Sequence, residues 1–492
     1  MAYTHRRCFI KGFVIAGISS GCGKTTVTLG MLASLTRLGF KTAPFKVGPD
    51  FIDPGHHTGI TGKHSRNLDG WMLSEAFNLE TFRKNSKNAD IAVVEGVMGL
   101  FDGYDGKTEA GSTAQMAKII NLPVILTVNA QSMARSAAAL VQGFERFDKD
   151  LKFAGVIFNN LGSARHLEYL KEALEDNVSM PCLGGILRNT DISIPERHLG
   201  LFTQFDHPLA KKDSDRLADI IEKSINIDKL INSLDDIDFK ITSSTDIDRK
   251  KTDSTSNCTA QTAFEIKDKS NVRIGVAMDN AFCFYYQDNF DILSAKGAEL
   301  VFFSPVNDKN LPDNIDGLYF GGGYPELFAK QLSENKNMCS DILEASLNSM
   351  PVYGECGGFM YLCREIADTK GNFYPMTGCF PFATEMFSRL KALGYRQITL
   401  KKDTLIGRQG CSVKGHEYHY SGIVKDGKEK SIETVYEVFP RIKRGVEQMQ
   451  ISEGYSMRNT LGSYIHLHFG SRPECAENFV KKCREYQKKR IK

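Results

Sequence analysis

The sequence predicts an α/β protein of two α/β domains: an N-terminal P-loop domain on a parallel sheet and a C-terminal domain built around a cysteine-bearing strand-to-helix turn. Three observations carry this expectation. Short apolar runs alternate with longer amphipathic stretches through the first half, a second α/β pattern restarts near residue 272, and glycine-rich turns sit where strands give way to helices in both halves. In order, GFVIAG, KTAPFKV, IAVVEGV, PVILTVNA and FAGVIFNN read as strands separated by helix-like segments. From 233 to 270 the texture turns to Ser, Thr, Asp and Lys, which cannot bury enough apolar surface to offset chain entropy, so this stretch reads as a linker. The expected division is therefore 1–232, a linker at 233–270, and 271–492. Beyond it, VRIGVAMD, AELVFFSP, GLYFGGG and MPVYGECGGFMYL repeat the strand-turn-helix pattern. The chain after 375 reads as antiparallel and irregular, ending in a strand, GSYIHLHFG, and a helix from about Cys475.

At 492 residues the chain is too long for one ordinary core. Hydrophobic residues at 41% and charged residues at 25% fit a globular protein, and a net charge of +3 gives no electrostatic footprint for nucleic acid. The basic residues between Lys481 and Lys492 read as a solvated helix end. Twelve scattered cysteines without CxxC spacing read as reduced thiols of a cytoplasmic protein rather than as a disulfide framework or zinc site. No apolar run approaches the roughly eighteen residues of a transmembrane helix, so no membrane is expected as a partner. The apolar N-terminal stretch runs directly into GISSGCGKTT and so reads as a first buried strand rather than a signal peptide.

That GISSGCGKTT segment has the context a phosphate loop needs, a strand before it and the helical VTLGMLASLTRLG after it. Glycines let backbone N–H groups converge on phosphate oxygens at a helix N-terminus. Gly17, Gly21, Gly23, Lys24, Thr25 and Thr26 are thus candidate nucleotide-binding residues. Lys24 would neutralise phosphate charge, and Thr25 would place its hydroxyl on Mg²⁺. Asp50, Asp53, Glu95 and Asp102 follow apolar strands, where ligands meet the ends of a parallel sheet. Asp50 and Glu95 join Thr25 as candidate metal-site residues; for Asp53 and Asp102 a helix cap or turn role stays open. Lys46 lies in the same turn and could assist a phosphate.

The loop resembles those of dethiobiotin synthetase-like P-loop enzymes, with one extra residue before GKT and no lysine at Ser19, where partitioning ATPases carry one. The resemblance implies ATP-dependent phosphorylation of a carboxylate, and it matches Asn159 to an adenine-reading asparagine.

In the second half, Tyr353-Gly354-Glu355-Cys356-Gly357-Gly358 forms a nucleophile elbow, a sharp turn with small neighbours between an apolar strand and the helical FMYLCREI. A thiol at a helix N-terminus is expected to have a lowered pKa. In a continuous strand through Ser463–Phe469, alternation would put His466 and His468 on one face. These motifs resemble the triad-type class I glutamine amidotransferases, with GGGYPE as their oxyanion loop and the backbone near Gly323 and Gly357 as its donors. That resemblance makes Cys356 the nucleophile and His466 the base. His468 stands where the family carries an orienting acid, which leaves the third member open.

A P-loop synthetase followed by such an amidotransferase resembles the cobyrinic acid amide-forming family. VGPDFIDP, VEGVMGLFDG, IPERHLGL, LGYR, GHEYHYS and SYIHLHF resemble its a,c-diamide-forming branch, cobyrinate a,c-diamide synthase, over nearly all of the chain outside the linker. The resemblance implies a ligase that uses ATP, Mg²⁺ and glutamine to amidate the a and c acetates of cobyrinic acid or its hydrogenobyrinic analogue in cobalamin biosynthesis. Partners would be small molecules, a tetrapyrrole polycarboxylate and glutamine, and the arrangement is compatible with a homodimer. Arg396, His416 and His419 would pair with substrate carboxylates or act as turn residues. A close branch that amidates nickel sirohydrochlorin, and a non-catalytic P-loop regulator, are the alternative readings.

Overall fold

The computed structural model describes residues 10–188, 196–197, 200–201, 203–204, 208–237, 271–424, 432–439 and 451–491. Seven strands make the N-terminal sheet: β1 (Lys11–Gly17), β2 (Thr42–Val47), β3 (Arg66–Leu68), β4 (Ile91–Glu95), β5 (Val124–Asn129), β6 (Phe153–Leu161) and β7 (Cys182–Leu187). All pairings are parallel, in the order β3-β2-β4-β1-β5-β6-β7. Near-continuous apolar runs, as in the Phe13 to Ala16 stretch, follow from burial of both sheet faces beneath helices. β3 and β7 are additions to the sequence reading; β3 is three residues long, too short to leave a periodic signal.

Register brings the chemistry together. Ile15 near the end of β1 and Lys46 on β2 both lie opposite Glu95 at the end of β4. The phosphate loop, Lys46 and Glu95 thus share the C-terminal edge of three adjacent strands, where ligands bind in open parallel sheets.

The C-terminal domain repeats this logic. Strands Ala298–Phe303, Val272–Ala277, Gly317–Phe320, Val352–Glu355 and Thr460–Ser463 are adjacent and parallel. Antiparallel strands then widen the sheet through Ile451–Met457, Thr434–Phe439, Ala392–Leu400 and Ser412–His419. The closing strand departs from expectation. It breaks after Ser463, where Ile465 N–H and Tyr464 N–H turn to Ser463 Oγ and Glu453 Oε1, and resumes as the two-residue His466–Leu467 against Gly415 and His416. The last helix spans Glu474–Ile491.

The segment assigned to the linker begins inside the first domain. Leu234 is buried with the helix–sheet core, and Ile237 bridges Ile10. The polar stretch from 238 to 270 lies outside the described residues.

The two domains meet in a mixed seam. Arg66 Nη1 contacts Asp288 at 3.0 Å and Asp291 at 2.9 Å. Tyr395 donates its hydroxyl to Asp69 at 2.7 Å, and Lys414 Nζ donates to the Trp71 carbonyl at 2.8 Å. At Gly470 even a Cβ would come within 2.5 Å of the Phe77 ring, so the backbone itself closes this edge. Burial raises Asp288 to about 6 even beside Arg66. Arg66→Met should therefore destabilise the protein by about 3–5 kcal/mol near pH 8, because it strands a buried carboxylate. The loss should shrink as pH drops to 6 and below, where Asp288 takes up a proton; denaturant unfolding of the variant at both pH values measures this.

Candidate active sites

At the first site the helix Lys24–Arg37 starts directly after Gly23, whose φ of 101° places it in the left-handed region that favours glycine. A Cβ on Gly23 would also lie 2.0 Å from Asn159 Nδ2. Asn159 donates to the Cys22 carbonyl at 3.1 Å, so it braces the loop. Lys24 Nζ folds back onto the Ser19 carbonyl at 2.9 Å; burial and nearby Lys46 lower its pKa.

Behind the loop lies a buried charge network. Lys46 Nζ contacts Asp53 at 2.5 Å, Glu95 at 3.1 Å and Asp50 at 3.7 Å. Glu95 Oε1 accepts from Thr25 Oγ1 at 2.7 Å, and its Oε2 meets His57 Nε2 at 2.7 Å. Burial alone would raise Glu95, but Lys46, His57 and Thr25 outweigh it and hold the carboxylate well below the usual range. One ammonium cannot neutralise three acids. The excess charge falls on Asp53, whose pKa is raised by burial and by Asp50 and Glu95. Asp50 Oδ1 accepts from the Ile52 and Asp53 N–H groups at the start of the helix Ile52–Thr61. Asp102 accepts from Gly99 N–H at 2.9 Å within the loop after β4.

At the second site, three loops follow three adjacent parallel strands. Cys356 follows Val352–Glu355, Gly321 to Gly323 follow Gly317–Phe320, and His466 follows Thr460–Ser463 beyond the break. Cys356 has φ 47° and ψ −107°, a conformation that costs a non-glycine residue on the order of 1–3 kcal/mol. Its N–H donates to the Ser463 carbonyl at 2.7 Å, while Gly358 N–H donates to the Gly321 carbonyl at 2.9 Å. A Cβ on Gly357 would lie 3.0 Å from Gly323 N, which places the two expected oxyanion donors beside one another. The thiol differs from expectation. Burial and the nearby Glu326 carboxylate push its pKa up, and the Gly357 N–H only partly opposes them. Its thiolate therefore needs a proton acceptor.

The histidines separate. His466 presses its Cε1 and Nε2 edge against Gly322, whose Cβ would lie 2.3 Å from the ring. His468 Nδ1 accepts from Gly470 N–H, and its ring meets Tyr286 at 4.4 Å and Phe77 edge-on. Burial lowers His468 to about 3, so it is neutral there.

Arg396, His416 and His419 also divide, because strand pairing sets Arg396 opposite Gly415 and Tyr395 opposite His416. Arg396 pairs with Glu417, and His419 shares their face, lining the pocket of Cys356, Tyr324 and Glu326. His416 takes the other face, within 2.7 Å of the Tyr286 hydroxyl.

Three side chains at these sites were not singled out from sequence: Phe51, His57 and Glu355. Each neighbours a candidate, directly after Asp50, four residues past Asp53 and directly before Cys356. Phe51 projects from the first domain onto the second, with its ring 5.4 Å from Phe284, 4.8 Å from Tyr286 and 5.1 Å from His466.

A nucleotide-loop domain joined to a cysteine amidotransferase domain defines a glutamine-hydrolysing, amide-forming ligase. Residues 13–202 match the CobQ/CobB/MinD/ParA nucleotide binding domain, and residues 273–474 match the CobB/CobQ-like glutamine amidotransferase domain. The chain belongs to the cobyrinate a,c-diamide synthase family. It is 40% identical to the cobyrinate a,c-diamide synthase of Leptospira interrogans, over 96% of this chain and 98% of that protein. It is 41% identical to the synthase so named from Dehalococcoides mccartyi, over 95% and 97%, and to that of Methanosarcina acetivorans, over 97% and 96%. No helix among the described residues is long and apolar enough to cross a membrane.

Gly322→Ala is expected to push His466 out of line and to lower glutamine hydrolysis by about 10²-fold, the scale of a 1 Å misplacement. Ammonia release from glutamine by the purified variant, beside its unfolding midpoint, checks this.

Proposed function

We propose that this protein transfers the amide nitrogen of glutamine to the a and c acetate carboxylates of cobyrinic acid through acyl-phosphate intermediates. The observation that carries the proposal is the seating of Phe51. It follows Asp50 of the charge network and packs against His466, so the two chemistries adjoin across a partly buried aromatic seam. The names of the relatives supply the substrate.

In this reading the Cys356 sulfur attacks the glutamine amide carbon after its proton passes to His466. His466 passes that proton to the amide nitrogen as the C–N bond breaks, ammonia leaves, and water hydrolyses the thioester to glutamate and the free thiol. Backbone N–H groups at Gly323 and Gly357 hold the tetrahedral oxyanion. At the other site Lys24 swings from the Ser19 carbonyl to the nucleotide phosphates, and the γ-phosphoryl group moves to the substrate carboxylate. Ammonia attacks the acyl carbon and phosphate leaves.

The donor set fits Mg²⁺. An ion held mainly by phosphate oxygens and water needs only one or two protein oxygens. Thr25 donates its proton to Glu95, which leaves its oxygen free to ligate, and Glu95 sits behind it as an outer acceptor. Bound there, Mg²⁺ would offset charge between the nucleotide and the substrate carboxylate.

Product mass spectrometry with ATP and glutamine, offering cobyrinic acid, hydrogenobyrinic acid and nickel sirohydrochlorin in turn, tests the substrate; two amidations of cobyrinic acid are expected, and amidation of nickel sirohydrochlorin alone would overturn the assignment. Cys356→Ala should abolish glutamine-dependent synthesis and retain synthesis from ammonium salts at alkaline pH. Lys24→Ala should abolish both, since no acyl phosphate forms. Normal ammonia-dependent product from the lysine variant would remove the phosphate loop from the reaction.

A further inference from the structure

The base at the glutaminase site lacks the acid that amidotransferases of the triad type carry two residues further along. Here that position is His468, which burial keeps neutral and which turns towards Phe77 and Tyr286. His466 is buried, and its Nδ1 has no hydrogen-bond partner among the described residues. A buried imidazole that must accept a proton and carry the charge is unstable without a counter-charge, and without a fixed Nδ1 partner its tautomer is unset.

Among the described residues, the carboxylate within 4 Å of that nitrogen belongs to Glu355, the residue directly before the cysteine, with Oε2 at 3.8 Å. Glu355 is itself buried and tightly anchored. Its Oε1 accepts from the Tyr353 hydroxyl at 2.7 Å and from Leu467 N–H at 3.0 Å, and its Oε2 accepts from the Tyr319 hydroxyl at 3.2 Å. The Leu467 bond matters most for geometry, because it ties the carboxylate to the residue after His466. Strand pairing explains the placement: Glu355 lies opposite Ser463, and the break after Ser463 returns the chain over the Glu355 side chain.

We propose that Glu355 is the positioning acid of the glutaminase site, replacing from the nucleophile strand the acid that the histidine strand lacks. His466 would carry its proton on Nδ1, facing Glu355, and present Nε2 to the cysteine. When the Cys356 proton moves to Nε2, the resulting imidazolium pairs with Glu355 through Nδ1–H. The 3.8 Å separation closes to hydrogen-bond length as glutamine binds, a tightening common to catalytic pairs on substrate binding. Glu355 acts only through His466 and does not touch substrate.

The inference rests on the reading of Cys356 and His466 as nucleophile and base, and the test keeps the two apart. Glu355→Gln preserves shape and removes charge; it should lower glutamine-dependent kcat by about 10²- to 10⁴-fold, the range for losing an orienting acid, with KM for glutamine nearly unchanged. Ammonia-dependent synthesis by the same preparation should stay near wild type, which separates loss of glutamine hydrolysis from loss of the fold. Glu355→Asp, which keeps the charge but withdraws it by one methylene, should lie between the two and serves if the glutamine variant does not fold. Wild-type glutamine turnover in either variant, or equal loss with both nitrogen sources, overturns the proposal. His466→Ala run alongside separates the failures: if it too retains glutamine turnover, the base assignment falls; if it alone is inactive, only the role of Glu355 falls.

Discussion

The packing of Phe51 against the second domain is the contact on which the rest of the architecture depends. Its ring stacks on Phe284 and lies against Tyr286, His416 and His466, while its neighbour Asp50 belongs to the charge network of the first domain. One side chain therefore belongs to the surroundings of both candidate sites. Aromatic rings bury large rigid areas at small entropic cost, and they suit a seam that must hold both sites in fixed relation. Arg66 with Asp288, Tyr395 with Asp69 and Lys414 with Trp71 set its orientation, since charged and hydrogen-bonded pairs are directional where apolar packing is not.

The two sites keep charge in different ways. The first domain gathers Lys46, Asp53, Glu95 and His57 into a buried network that opens to water at Asp50, so its members are oriented before any nucleotide arrives. In the second domain, burial and the carboxylates of Glu326, Glu355 and Glu417 push the pKa of the Cys356 thiol up and favour its protonated form.

Much of this arrangement was legible in the residues. Apolar runs ending in glycine marked the parallel strands, and the phosphate loop and the cysteine elbow were visible because each needs particular residues at consecutive positions. What escaped depends on pairing between distant segments. No local pattern announces that the strand carrying His466 breaks after Ser463, because the break is stabilised by Glu453 from the neighbouring strand. The division of Arg396 and His419 from His416 follows from antiparallel register, which a single strand does not encode. Glu355 and His57 are ordinary polar residues in sequence and acquire partners only when sheets assemble.

The backbone at Cys356 carries a consequence for how such sites are inherited. A φ of 47° with ψ of −107° suits glycine far better than any residue with a Cβ, so the fold alone favours glycine at this position. With Cys356 as the nucleophile proposed above, selection for stability and selection for glutamine use pull in opposite directions at one codon. In a lineage supplied with free ammonia, drift to glycine would relax the turn and strengthen the domain while silencing it, and a well-folded descendant with glycine there would be the fossil of a lost activity rather than a damaged protein.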